Sequence, residues 1–224
     1  MNSPTWGLHA LLAVLLAFAC ASVAHSAPTA PRTILVLGDS LSAGYGIKVE
    51  EGWVTLLTQR LKTRGYGYRV VNASVSGETT SGGATRLPRA LALHKPDIVI
   101  LELGGNDGLR GLPLATSRAN LVKMIEASQR AGAQVLMVGM LIPPNYGPRY
   151  SKDFQQMFPD LAAKYRLPLV PFFLNFVALD PALMQPDGIH PNARGQPQLL
   201  ENLWPKLEPM LAKAKAAPKL QGAR

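Results

Sequence analysis

The chain has 224 residues, 47% hydrophobic and 17% charged, with a formal net charge of +9. That length and balance fit one domain with a sizeable core and exclude a disordered chain. Its lysines and arginines are scattered, with no zinc-finger spacing and no RNA-binding aromatic pattern, so the charge reads as a basic solvated surface with no nucleic-acid partner.

Residues 1–27 carry no Lys, Arg, Asp or Glu. Leu11–Cys20 is an unbroken apolar run, and small residues follow at Ala21, Ser22, Ala24, Ser26 and Ala27. This is the pattern of a secretory signal cleaved near Ala24–Ala27, and it predicts a periplasmic or secreted protein. An uncleaved anchor and a lipid-modified Cys20 are the alternatives. Cleavage would remove the single cysteine, excluding a thiol nucleophile, a disulfide and a Cys-based metal site. It would also leave His94 and His190 as the available imidazoles.

The elements follow in chain order. Residues 33–38 form an apolar run typical of a parallel strand buried on both faces. Gly52–Arg64 has helical spacing, ended by Gly65 and Gly67. A short strand at 69–72 precedes a small, polar loop over 73–83. A helix is expected over 83–93, then a second buried strand over 97–103, ending at Gly104-Gly105-Asn106-Asp107-Gly108. A helix over 115–130, a strand over 134–140, an irregular proline-rich stretch over 141–148 and a helix over 151–165 come next. A strand at 168–171, a long connection over 172–195 and a last helix over 196–212 complete the pattern. Residues 1–27 are then the signal, 28–212 the domain, and 213–224 a basic tail.

Alternating strands and helices predict an α/β fold: a three-layer α/β/α sandwich with about five parallel strands in the order 2-1-3-4-5. In such sheets ligands bind beyond the carboxyl ends of the strands, where the order reverses. Ser40, Gly77, Asn106 and the Asp187–His190 loop would share that rim.

A serine hydroxyl needs a base, and His190 is the available one. Asp187 precedes it by three residues, so a tight turn can bring the carboxylate to the imidazole and fix its tautomer. Acyl transfer also needs donors for a developing oxyanion. The Ser40 N–H, the Gly77 N–H and the Asn106 amide are the candidates. The rim formed by Gly108–Leu112 and Leu141–Tyr146 is apolar and suits acyl groups, with Asp107, Gly108, Leu109, Arg110 and Tyr146 as candidate substrate contacts. The alternative for Asp107 is a carboxylate that only fixes its loop.

Gly38-Asp39-Ser40-Leu41, Gly77, Gly105-Asn106-Asp107 and Asp187-Gly188-Ile189-His190 together resemble the successive blocks of the GDSL, or SGNH, hydrolases. The longer strings Gly38–Tyr45, Glu102–Gly111 and Pro144–Gly147 resemble its periplasmic bacterial subfamily of multifunctional thioesterases, proteases, lysophospholipases and arylesterases. The resemblance implies a flavodoxin-like fold and hydrolysis of carboxylic esters and thioesters by a serine enzyme. It also implies a loop over Asp107–Leu112 that shifts when acyl chains bind. No metal or cofactor is expected. The partner is a small acyl ester or thioester, with transient contact to membrane lipid, and the chain is expected to be a monomer. The other readings are a carbohydrate acetyl esterase and a non-catalytic module binding lipid or polyanions.

Overall fold

The computed structural model describes residues Arg32–Leu211. The expected signal at 1–27 and basic tail at 213–224 lie outside the described residues. Five parallel strands form one sheet: β1 (Arg32–Gly38), β2 (Tyr68–Asn72), β3 (Ile98–Glu102), β4 (Gln134–Val138) and β5 (Leu169–Val170). Their order is β2-β1-β3-β4-β5, as the alternation of strands and helices predicts. β3 is central, and β1, between β2 and β3, pairs with it from Ile34↔Ile98 to Gly38↔Glu102. Both strands are buried over those residues, which is why their sequences run apolar without alternation.

Among the described residues, seven α-helices accompany the sheet: α1 (Ser40–Ala43), α2 (Trp53–Thr63), α3 (Thr80–His94), α4 (Gly105–Leu109), α5 (Leu114–Arg130), α6 (Pro148–Tyr165) and α7 (Gln196–Leu207). α2 packs beside α7, and α3 and α6 pack on either side of α5. Trp53 meets Phe173 edge-on at 5.5 Å, while Phe154 and Phe158 meet at 5.4 Å. The first pair packs α2 against the connection after β5, and the second lies along α6.

Several boundaries differ from the sequence reading for identifiable reasons. α3 begins at Thr80, not 83, because the Thr79 hydroxyl caps it by accepting from Gly82 N–H. Gly82 and Gly83 therefore lie inside a helix. A Cβ on Gly83 would come within 2.3 Å of Leu103 Cδ1, so glycine lets α3 approach the sheet. α6 starts at Pro148, where a missing N–H costs nothing. Leu141–Pro148 includes one 3₁₀ turn at Pro144–Tyr146. α7 stops at Leu207 and tightens into a 3₁₀ turn over Glu208–Met210. The short helices α1 and α4 have no hydrophobic period to betray them.

Candidate active site

Strand β1 delivers the chain to a sharp turn. Asp39, one residue past the strand, caps α1: its Oδ1 accepts from Leu41 N–H at 3.0 Å. Ser40 is half-buried and opens that helix, so its own N–H has no intrahelical acceptor. The Ser40 hydroxyl lies 2.8 Å from His190 Nε2, although 150 residues separate them.

The base arrives on a loop that is closed on itself. Met184 bridges Pro191, and Gln185 N–H donates to His190 C=O at 2.7 Å. Within it, Asp187 Oδ1 accepts from the N–H groups of Ile189 at 2.9 Å and His190 at 3.0 Å. Its other oxygen, Oδ2, stands 2.6 Å from His190 Nδ1. Gly188 takes the left-handed conformation (φ 65°) that lets the turn close. Burial pushes the Asp187 carboxyl up. The His190 N–H, its ring and the Ile189 N–H outweigh that effect and hold the carboxyl at about 2. Asp187 is therefore ionised at neutral pH, and the imidazole proton belongs on Nδ1. That leaves Nε2 free to accept from Ser40 O–H.

Gln185 also reaches out of the loop. Its Nε2 donates to Tyr45 C=O at 2.7 Å and Pro191 C=O at 3.1 Å, stapling the base loop to the segment after α1. The Tyr45 ring lies 4.7 Å from the His190 ring. A narrow cleft between these segments is lined by Ser40, Leu41, Gly44, Tyr45, His190 and Pro191.

The expected oxyanion donors come from the neighbouring strands. Gly77 is exposed, with φ 78°, in the loop after β2, and Arg110 Nη2 donates to its carbonyl at 3.0 Å. Asn106, at the start of α4 after β3, gives one Nδ2 hydrogen to Glu78 C=O at 3.0 Å and the other to Asp39 Oδ2 at 3.2 Å. Asn106 is thus tied to the loop of Gly77 on one side and to the turn of Ser40 on the other.

Two expected substrate contacts need correction. Asp107 is only 1% exposed, and its carboxylate faces inward. It accepts from Thr80 N–H (2.8 Å), Thr80 O–H (2.5 Å) and Ser117 O–H (2.9 Å). Gly108 is buried as well: a Cβ there would come within 2.7 Å of Ile142 and Phe154. Both residues fix the loop and do not line the cleft. Leu109 is half-buried, and its carbonyl accepts from the half-buried Tyr146 hydroxyl at 2.6 Å. Arg110 is exposed.

Sequence reasoning missed Gln185 and Glu102. Gln185 had only its nearness to the Asp187–His190 turn to mark it. Glu102 carried a clearer signal, a lone acid inside a buried apolar strand. It is fully buried, and its Oε2 accepts from Ser42 O–H at 2.6 Å. Among the described residues, no group of three His, Cys, Asp or Glu side chains converges as metal ligands, and no helix is long and apolar enough to cross a membrane.

A serine–histidine–aspartate relay beside a glycine and an asparagine, on the rim of a five-stranded parallel sheet, defines a hydrolase class. Residues 36–197 match the GDSL-like lipase/acylhydrolase family, and the chain belongs to it. Among its relatives, an esterase, TesA of Pseudomonas aeruginosa, is 50% identical over 199 residues, spanning 89% of this chain and 99% of its own. The thioesterase 1/protease 1/lysophospholipase L1 of Escherichia coli K12 is 40% identical over 206 residues, spanning 92% and 94%. The crystal structure of the psychrotrophic esterase EstA from Pseudoalteromonas sp., inhibited by monoethylphosphonate, is similar with a TM-score of 0.77 at 41% identity, covering 80% of this chain and 97% of that one.

Proposed function

We propose that this chain is an exported, monomeric serine esterase that cleaves carboxylic esters and thioesters through an acyl-enzyme. Its substrates are arylesters, short to medium acyl esters, acyl thioesters and lysophospholipids, the last met in transient contact with membrane lipid. One observation carries the reading: the unbroken hydrogen-bond line from Asp187 Oδ2 through the His190 ring to Ser40 Oγ. The relatives named as esterase and as thioesterase and lysophospholipase support the substrate class. The apolar segment at 1–27 supports export.

Ser40 Oγ attacks the carbonyl carbon as His190 Nε2 takes the hydroxyl proton. The charge that builds on the carbonyl oxygen is met by the N–H groups of Ser40 and Gly77 and by Asn106 Nδ2, whose hydrogen on Glu78 C=O in the free enzyme turns to the oxyanion while Asp39 keeps the other. Asp187 stabilises the imidazolium and keeps its ring in place. His190 then gives the proton to the leaving alcohol or thiol as the C–O or C–S bond breaks, leaving Ser40 acylated. A water, losing its proton to His190, adds to the acyl carbonyl. Collapse of that adduct expels Ser40 Oγ, which recovers the proton, and frees the acid.

The test is turnover of p-nitrophenyl acetate, butyrate and octanoate by the native chain and by Ser40→Ala. Native turnover with at least a ~10³-fold loss in the variant is expected. Turnover unchanged by the substitution would overturn the reading.

A further inference from the structure

Asp39 lies between the nucleophile and the amide donor. It is 2% exposed, and its carboxylate is divided between them. Oδ1 takes the Leu41 N–H and so holds the first turn of α1, which carries Ser40. Oδ2 takes one Asn106 Nδ2 hydrogen, while the other goes to Glu78 C=O. Beneath, the Asp39 N–H donates to Glu102 Oε2 at 3.3 Å, and Glu102 Oε1 is buried with no partner among the described residues. Two buried acids thus share the floor of the site, and the relay from Asp187 to Ser40 uses neither.

We propose that Asp39 is the positioning residue for the oxyanion donor Asn106, effective only when ionised, and that Glu102 beneath it stays neutral so that Asp39 can ionise. This rests on the esterase reading. The division follows from the donors. Asp39 has an N–H and an amide N–H, one for each oxygen. Glu102 has the Asp39 N–H and the Ser42 hydroxyl on one oxygen, with the Ser42 N–H also nearby, and no hydrogen-bond partner on the other oxygen, so a charge there would leave a buried oxygen uncompensated. Burial and the Asp39 charge push the Glu102 carboxyl well above its ordinary range. Other charged groups also face Asp39: His190 from the base loop favours its ionised form, and Asp107 from α4 opposes it. Burial is the largest influence and raises Asp39 to about 6, against the pull of Leu41 N–H, His190 and Asn106. A carboxylate holds the amide by a charge-assisted bond, roughly twice as strong as a neutral one. A protonated Asp39 turns a weaker acceptor, or a hydroxyl hydrogen, towards Asn106 and releases its aim.

Two protons must then leave to form the active enzyme, one from His190 and one from Asp39, where a lone histidine would need one. The experiment is log(kcat/KM) for p-nitrophenyl acetate against pH, from acid to mildly basic, in four proteins: native, Asp39→Asn, Asn106→Ala and the double variant. The native acid limb should steepen towards a slope of two. Asp39→Asn should lower kcat by ~10²-fold, comparable with losing an oxyanion donor, with little change in KM, and its limb should have a slope of one. In the Asn106→Ala background the Asp39 substitution should cost little more. Glu102→Gln should leave the limb where it is, since one neutral group replaces another.

A native limb of slope one would overturn the proposal, and this result needs no variant to fold. So would Asp39→Asn costing as much in Asn106→Ala as in the native chain, or Glu102→Gln moving the limb. Ser40-dependent turnover alongside any of these leaves the esterase reading intact, whereas absence of Ser40-dependent turnover removes that reading first.

Discussion

Replacing Asp107 by alanine should unfold the protein more easily before it tells anything about substrate. The carboxylate is fully enclosed and collects three donors: the Thr80 N–H, the Thr80 hydroxyl and the Ser117 hydroxyl. The Thr80 hydroxyl oxygen in turn accepts from Asn120 Nδ2 at 3.2 Å. Asp107 therefore ties α4 to the starts of α3 and α5. In Asp107→Ala the Thr80 N–H cannot turn to a new acceptor, and a buried donor left unpaired costs ~1–3 kcal/mol. Each hydroxyl loses a bond to a charge but can rotate, so together they forfeit roughly 2 kcal/mol. The sum is about 4 kcal/mol, which in a domain of this size lowers Tm by roughly 8–16 °C. Thermal unfolding followed by far-UV circular dichroism, with urea titration as a check, measures it. Asp107→Asn should fall between, because one oxygen is kept while an NH₂ group confronts the Thr80 N–H. A Tm within a degree or two of native for Asp107→Ala would refute the assignment of this residue to the scaffold.

Asp187→Asn should lower kcat by ~10³-fold, because an amide no longer fixes the Nδ1–H tautomer. With its carboxyl held at about 2, Asp187 is ionised across the assay range, so it should add nothing to the acid limb of the native pH profile. Asp39 makes a stability prediction of opposite sign to the usual carboxylate. Its folded value of about 6 lies above that of an unfolded aspartate, so the folded chain binds the extra proton between about pH 4 and 6. Stability should fall as pH rises through that window, by about 3 kcal/mol from this group alone, and Asp39→Asn should reduce that slope in urea midpoints, leaving the share of Glu102, whose buried carboxyl is also raised. The Tyr146 and Tyr150 hydroxyls hold the carbonyls of Leu109 and Leu112 at 2.6 and 2.8 Å. Freeing that loop with Tyr146→Phe and Tyr150→Phe should change the octanoate-to-acetate ratio of kcat/KM at least several-fold; an unchanged ratio would separate the loop from acyl-chain selection.

The sheet was legible because β1 and β3 are covered on both faces and leave unbroken apolar runs, and their order follows from crossovers that must be right-handed. Ser40, His190, Asp187, Gly77 and Asn106 could be picked out because each sits in a polar or glycine-rich break just past a strand or in a turn. Direction was not legible. In Gly105–Arg110, five residues wind into α4, which turns Asp107 inward and leaves Arg110 outside, and a helix this short has no period to read. Glu102 was visible as an acid among apolar neighbours. Its pairing with Asp39 depends on the Gly38↔Glu102 register, and the sequence does not carry that register. The staple made by Gln185 depends on a side chain crossing to Tyr45, 140 positions away, and a lone glutamine in a loop gives no sign of that.

The closure of the Met184–Pro191 segment on itself has a kinetic meaning. Acid and base are assembled within eight consecutive positions as a ready-made cartridge, needing nothing from the sheet to find each other. Its docking onto Ser40 spans 150 positions, a late kind of contact in a chain whose strands pair with nearer partners. During refolding, restored hydrolysis should therefore lag behind the far-UV signal, the enzyme acquiring its shape before its competence; recovery of both in a single phase would mean that cartridge and scaffold lock together.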